Sequence, residues 1–283
     1  MNGSQNKLNL TTIIGENKVE KIEDGFQFTE GPVWVDGYLL FSDIPADTVY
    51  KHQETTEVYL KPSGHSNGLA LDKQGRLLIC EHDRRLTRHE KDGSKTVLAE
   101  SYEGKRLNSP NDLAVKTNGA IYFTDPPYGL PNRSEGKELD FSGVYRLKDG
   151  TLTLLDDGIP LPNGLAFSPD EKTLYVADTS SAKVYAYDVT PSGLENKRVF
   201  SNLGEVDGPG GADGMKVDVD GNLFCTGPGG IHVIDSEGTR IGVIECPEVP
   251  ANIAWGDDDY KTLYITARTS VYSLKVLSGG TGL

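Results

Sequence analysis

The sequence predicts an all-β chain folded as a six-bladed β-propeller, with four antiparallel strands per blade. Three observations carry this. Glycine and proline are abundant, at 33 and 15 of 283 residues, while apolar periodicity of the helical kind is scarce. A unit of four short strands recurs along the chain. The residues opening successive units lie 37, 44, 52, 50 and 39 positions apart, near the period of about 40–50 residues that a propeller blade needs.

The first strand of each unit begins at a polar residue, usually followed by glycine. These strands are EGPVWV from Glu30, NGLALD from Asn67, NDLAVK from Asn111, NGLAFS from Asn163, DGMKVDV from Asp213 and NIAWGD from Asn252. The second strands are YLLFSD, RLLICEH, AIYFTD, TLYVAD, NLFCTG and TLYITAR. The third are TVYKH, RLTRHE, GVYRLK, KVYAYD, GIHVID and SVYSLK, and the fourth are TEVYLK, KTVLAE, TLTLLD, KRVFSN and RIGVIE. The sixth unit lacks a fourth strand. KVEKIED, directly before the first repeat, supplies it, so the N-terminal segment closes the last blade and leaves no open sheet edge. The chain therefore reads as a single domain over 1–283, with 1–15 and 277–283 as loose ends. The longest spacing reflects an insertion, 125–143, of the kind that covers a substrate site.

Charge narrows the partners. The chain carries 28 Lys+Arg against 42 Asp+Glu, a net charge of −14 with a pI near 4.8. Nucleic acid and anionic membranes both need a basic face, so neither is expected as a partner. No apolar run approaches a membrane span, and the opening MNGSQNKLNL lacks a secretory pattern, so a cytoplasmic or periplasmic location is expected. Cys80, Cys225 and Cys246 have no zinc spacing and read as reduced, mostly buried thiols.

Inner strands of a propeller line its channel and enter it in one direction. The six opening residues then form a ring near one mouth: Glu30, Asn67, Asn111, Asn163, Asp213 and Asn252. Each carries a side-chain oxygen. Asx-Gly turns explain one or two such residues, but not six at equivalent positions. Two carboxylates, Glu30 and Asp213, with amide oxygens from Asn111 and Asn163, suit one hard divalent cation. Ca²⁺ comes first, with Mg²⁺, Mn²⁺ or Zn²⁺ as alternatives. The second strands return to the same mouth. They bring His82 beside Asn67 and Arg268 beside Asn252, with Tyr128 in the insertion, as candidate substrate contacts together with Asn67 and Asn111. DVDGN at 218–222 resembles the start of an EF-hand loop, but its twelfth position is Gly229, not glutamate.

The segments FTEGPVW, SPNDLAV, LPNGLAFSPDEKTLYVADT, GGADGMKVDVDGNLF and PANIAWGDDDYKTLYITA resemble the gluconolactonase/regucalcin/luciferin-regenerating-enzyme family, in its bacterial gluconolactonase branch, from about residue 20 to 275. The resemblance implies a six-bladed propeller holding one divalent cation on Glu30, Asn163 and Asp213, with Asn111 a ligand or a substrate contact. It implies a soluble, metal-dependent lactone hydrolase acting on a small-molecule sugar lactone or related cyclic ester, as a monomer or small homo-oligomer. Asp213 would be both ligand and general base, or would position the water. The regucalcin-like branch places an arginine two residues before Asn111. Here Ser109 stands there, so Arg106 or Arg268 would have to replace that contact. Two other readings remain: an aryl-esterase or organophosphate hydrolase with the same cation site, and a non-catalytic Ca²⁺-binding or interaction propeller.

Overall fold

The computed structural model describes residues 9–281 and consists almost wholly of six four-stranded antiparallel sheets. Blade one contains Thr29–Val35, Tyr38–Asp43, Thr48–His52 and Thr56–Leu60. Blade two contains Ser66–Leu71, Leu77–Glu81, Arg85–His89 and Lys95–Ala99, and blade three Leu113–Val115, Ile121–Asp125, Gly143–Lys148 and Thr151–Asp156. Blade four contains Pro162–Phe167, Thr173–Asp178, Lys183–Val189 and Leu194–Asn202, and blade five Met215–Val217, Leu223–Gly227, Gly230–Ile234 and Arg240–Ile244. Blade six is built from Asn252–Gly256, Thr262–Ala267 and Ser270–Lys275. Its fourth strand is Glu20–Asp24, paired antiparallel with Glu20 opposite Ser273 and Asp24 opposite Ser270. Each inner strand touches the inner strands of the two adjacent blades, and the first touches the last, so the ring is closed.

The alternation of side chains along a strand explains why such short strands suffice. In blade two, Leu77 and Ile79 pack toward blade one, whereas Leu78 and Cys80 pack toward blade three. In blade one, Leu40 joins the same cluster as Leu77, whereas Leu39 and Phe41 face Val271 of blade six. One strand thus serves two interfaces, and the core is spread over the six gaps between blades. Burying each such leucine or phenylalanine stabilises by roughly 1.5–3 kcal/mol. Polarity rises outward: Leu77–Glu81 is buried throughout, while Lys95–Val97 of the outer strand is exposed. Cys80 and Cys225 are buried free thiols and Cys246 is partly buried.

Both ends differ from the loose termini expected. Leu10–Ile14 forms a short helix capped by the Asn9 side chain, and Ile13 packs into the cluster between blades five and six. At the other end Ser278 donates to Asp220 at 2.7 Å, and Gly280 pairs with Asp218 beside the Trp255 ring. The N-terminal helix buries Ile13, which a free end would leave in water, whereas the C-terminal segment is held by polar and main-chain bonds and leaves Leu277 exposed. The remainder of both expected loose ends, 1–8 and 282–283, lies outside the described residues.

Candidate metal centre

Three inner strands kink at the channel mouth. Register shifts fall between Glu30 and Val33, Ser66 and Leu69, and Pro162 and Leu165, so the opening residue and its glycine sit in a bulge that re-aims the side chain. The glycine is required by close packing. A Cβ on Gly164 would lie 2.2 Å from the Asp213 carbonyl oxygen, and one on Gly31 would lie 1.8 Å from that of Asn67. The recurring Asx-Gly pair is thus an inter-blade contact as well as a turn. Hydroxyls brace the same level: Ser42 donates to the Asn67 carbonyl at 2.8 Å and Thr124 to the Asn163 carbonyl at 2.7 Å.

The ring assembles as its sequence positions imply. Glu30, Asn67, Asn111, Asn163 and Asn252 are buried, and Asp213 keeps partial exposure. Around one side, amide groups hand hydrogen bonds along: Asn67 donates to Asn111, Asn111 to Asn163, and Asn163 to the Thr179 hydroxyl at 3.0 Å. Thr179 passes on to the Ala212 carbonyl at 2.7 Å. One position departs from the expected circle of oxygens. The Asn252 oxygen accepts from the Ile253 N–H at 2.8 Å, so its amide nitrogen faces the channel and donates to Glu30 at 3.0 Å. Asn252 therefore orients a carboxylate instead of presenting an oxygen.

Two residues outside the expected set share this centre. Asp112 is buried, accepts from the Leu113 N–H at 2.9 Å and receives the Asn252 amide at 3.2 Å. Lys216, half-buried on the channel wall, donates to the Met215 carbonyl at 3.1 Å and acts electrostatically on both Glu30 and Asp112. Burial, reinforced by Asp112, raises the Glu30 carboxyl; burial, with Glu30 and Asp112 adding to it, drives Asp213 well up. Burial likewise raises Asp112, while Lys216 opposes that rise.

The charges test what the centre fits. Glu30, Asp112 and Asp213 offer three negative charges and Lys216 one positive charge, leaving two to be neutralised. One divalent cation meets that requirement. Among the described residues no three His, Cys, Asp or Glu side chains gather at metal-ligand geometry. A cation would therefore rest on Glu30 and Asp213 completed by amide oxygens, a donor set suited to a hard ion.

The expected substrate contacts are distributed unevenly. His82 receives the Asn67 amide on Nε2 at 3.2 Å, and burial lowers its pKa to about 4, so the imidazole is neutral. Among the described residues the buried Tyr128 hydroxyl has no hydrogen-bond partner in good geometry, and it faces Asn163, Thr179 and Asp213. Arg268 occupies the turn on the same face, with its side chain exposed. Ser109 is fully buried: it donates to the Pro126 carbonyl at 2.6 Å and accepts from the Gly129 N–H at 2.8 Å, fastening the 125–143 insertion over the mouth. A cavity of about 470 Å³ lies between His82 and this insertion. A larger one, about 620 Å³, occupies the opposite half of the channel, with walls such as Leu69, Leu113 and Phe167 and none of the ring residues.

Residues 28–269 match the family model described as the SMP-30/Gluconolactonase/LRE-like region. A gluconolactonase of Zymomonas mobilis is 37% identical over 93% of this chain and 82% of its own length. The solved structure of a gluconolactonase from Xanthomonas campestris superimposes with a TM-score of 0.87 at 38% identity, covering 94% of this chain and 92% of that one. A calcium-binding regucalcin from Agrobacterium tumefaciens shares the fold, with a TM-score of 0.78 at 22% identity over 93% and 95% of the two chains.

Proposed function

The chain belongs to the SMP-30/gluconolactonase/LRE-like family, and from that premise we propose that it is a divalent-cation-dependent lactone hydrolase. The observation that carries the reading is the excess of two negative charges at the channel mouth, on the buried Glu30 and Asp112 and the partly exposed Asp213, beside neutral amide oxygens and under a fastened insertion. A scaffold propeller has no need of such a centre. The gluconolactonases among its relatives supply the substrate class, a sugar lactone or related cyclic ester. The calcium-binding regucalcin favours Ca²⁺ as the ion.

Glu30, Asp213, Asn163 and Asn111 would hold the cation. Bound there, it supplies Lewis acidity at the lactone carbonyl. Asn252 and Gly31 fix Glu30 by donating to its carboxylate. Asp213, the ring carboxylate with partial exposure, takes a proton from the attacking water. Water adds to the carbonyl carbon, the ring C–O bond breaks, and the proton passes to the departing ring oxygen. The Tyr128 hydroxyl, unpartnered among the described residues, donates a hydrogen bond to a substrate oxygen. His82 stays neutral and packs the substrate against Asn67 and Asn111.

A pH-stat assay on glucono-δ-lactone tests this. Treatment with chelator is expected to reduce turnover to the uncatalysed rate, and added Ca²⁺ to restore it. Asp213→Ala should lose both cation binding and turnover. Full activity in chelator, or in that variant, would sink the metal-dependent reading. A phosphotriester and an aryl ester in the same assay separate the lactonase from the esterase alternative.

A further inference from the structure

The larger cavity, about 620 Å³, occupies the half of the channel away from the polar ring and touches no ring residue. Its size is that of a small-molecule site. The wall is the stretch of inner strand just past each opening residue. In blades one to four that wall is apolar and stays partly accessible, as at Val33, Trp34, Leu71, Val115 and Phe167. Blades five and six are treated differently. There the C-terminal segment packs on the wall: the Val219 N–H donates to the Gly279 carbonyl at 3.0 Å, and a Cβ on Gly280 would meet the Trp255 ring at 1.8 Å. Among the described residues no segment does the same for blades one to four.

The charges at the cavity select against an ionic occupant. Asp36, Asp72 and Glu171 are matched in number by Lys73, Lys116 and Lys216. Asp72 pairs with Arg76 at 2.7 Å, and the Glu171 carboxylate receives the Thr117 N–H and hydroxyl, each at 2.6 Å. Lys116 donates to the Glu171 carbonyl at 3.2 Å, while Asp36 and Lys73 are exposed. Lys216 stands apart from these. Its ammonium donates to the Met215 carbonyl at 3.1 Å, and among the described residues no carboxylate comes within ion-pair distance of it. Glu30 and Asp112 compensate its charge at longer range. Two of its three N–H donors nevertheless remain unspent. A compensated charge with unspent donors suits a neutral oxygen acceptor better than an anion.

We propose that this cavity is a second small-molecule site, and that its occupant is a neutral aromatic or alicyclic ring compound carrying a carbonyl oxygen. The ring system lies against Trp34, Phe167 and Trp255, which line the cavity, and the oxygen accepts from Lys216. Apolar wall that blades one to four leave accessible is then removed from water. The site stands apart from the lactonase reading, which concerns the other half of the channel.

The experiment titrates the protein with 2-acetylnaphthalene, naphthalene and 2-naphthoate. Trp34 and Trp255 are the two tryptophans of the chain and both line the cavity. Their indole N–H resonances therefore report occupancy directly, whatever the protein hydrolyses. In the wild type the ketone is expected to give saturable shifts and to bind about tenfold more tightly than naphthalene, for one hydrogen bond to a charged donor. The carboxylate should bind no more tightly than the ketone. In Lys216→Met, which keeps the side-chain stem, the advantage of the ketone over naphthalene should vanish while naphthalene still binds. Ala114→Leu, which fills the channel and leaves Lys216 in place, should weaken the ketone and naphthalene together. The wild-type comparison of the three probes depends on no variant. Absence of saturable shifts at both indoles in the wild type would overturn the site. Tighter binding of 2-naphthoate than of the ketone would overturn the neutral class of ligand. An advantage of the ketone that survives Lys216→Met would overturn the role of Lys216.

Discussion

Asp112 and Asn252 meet across the propeller axis: the Asn252 amide nitrogen donates to the Asp112 carboxylate at 3.2 Å, although their blades, three and six, stand on opposite sides of the ring. The same nitrogen donates to Glu30 at 3.0 Å. One amide therefore holds two buried carboxylates in fixed positions at the floor of the polar ring. Lys216 compensates one of those charges, which leaves Glu30 and Asp213 for the proposed cation.

The opposing signs of Asp112 and Lys216 give a paired prediction. Asp112→Asn removes a negative charge beside the cation ligands and should weaken Ca²⁺ binding about tenfold, or about 1.4 kcal/mol. Lys216→Met removes a repelling charge and should tighten it by a similar factor. The second variant should also be less stable when metal-free, because Glu30, Asp112 and Asp213 then lose the Lys216 countercharge. Calorimetric Ca²⁺ titration and thermal melts read both effects. Equal weakening by both substitutions would show that packing, not charge, governs the site.

Proton competition should be visible in the cation affinity. Burial and Asp112 push Glu30 from its ordinary 4.5 up to about 7 in the cation-free protein, and Asp213 moves in the same direction. A carboxyl that binds its proton more tightly when folded stabilises the fold at low pH. That stability is lost as pH rises from about 4.5 to about 7. The metal-free protein should therefore melt at a lower temperature at pH 8 than at pH 5.5. The Ca²⁺ increment should run the other way, shrinking as pH falls below about 7 because the ligands must release protons first. Melts at the two pH values, with and without Ca²⁺, check both signs.

The ring and the blade register were legible in the sequence because the repeat fixes them together: once the opening residues are aligned, their convergence at one mouth follows from closure. Asp112 was harder to see. It occupies the slot that holds Gly31, Gly68, Gly164 and Gly214 in other repeats and Ile253 in the sixth, and as the polar exception there it carried a readable signal. Lys216 is the corresponding exception three residues after the opening position, where Val33, Ala70, Ala114, Ala166 and Trp255 stand elsewhere. The turned amide of Asn252 had no such signal, because the choice of which amide atom faces inward is made by the Glu30 and Ile253 partners that folding brings together. The docked ends escaped for a related reason. At the N-terminal end, Ile13 finds its site only where two blades meet.

Gly164 tests the packing origin of the Asx-Gly pairs. Its Cβ in Gly164→Ala would meet the Asp213 carbonyl oxygen at 2.2 Å and the Gly214 Cα at 2.8 Å. Both are main-chain atoms of the next blade and have no rotamer by which to yield. The expected result is a stability loss of roughly 1–3 kcal/mol, together with weakened Ca²⁺ binding as Asp213 is displaced. Gly75→Ala serves as a control: it lies in a hairpin with nothing within 4 Å of the added carbon. Its positive φ of 69° should give a modest stability loss with no change in Ca²⁺ affinity. Chemical denaturation and Ca²⁺ titration of the two variants separate a packing effect at the ring from general backbone strain.

Ser109 should control the insertion without controlling the cation. Its hydroxyl joins the Pro126 carbonyl and the Gly129 N–H, and Gly129 in turn lies so close to His82 and Ser109 that a Cβ there would sit 2.7 Å and 2.9 Å from their side chains. Ser109→Ala deletes both bonds and leaves the Gly129 N–H unpaired at the base of the insertion. Amide hydrogen exchange in 126–130 is expected to quicken, and KM for lactone to rise several-fold as Tyr128 and the cavity wall lose their fixed position. Ca²⁺ affinity should stay close to that of the wild type, because none of the proposed ligands bonds to Ser109. An unchanged exchange rate in 126–130 would mean that the Arg84 bond to Gly136 and the Asn108 bond to Phe141 hold the insertion by themselves.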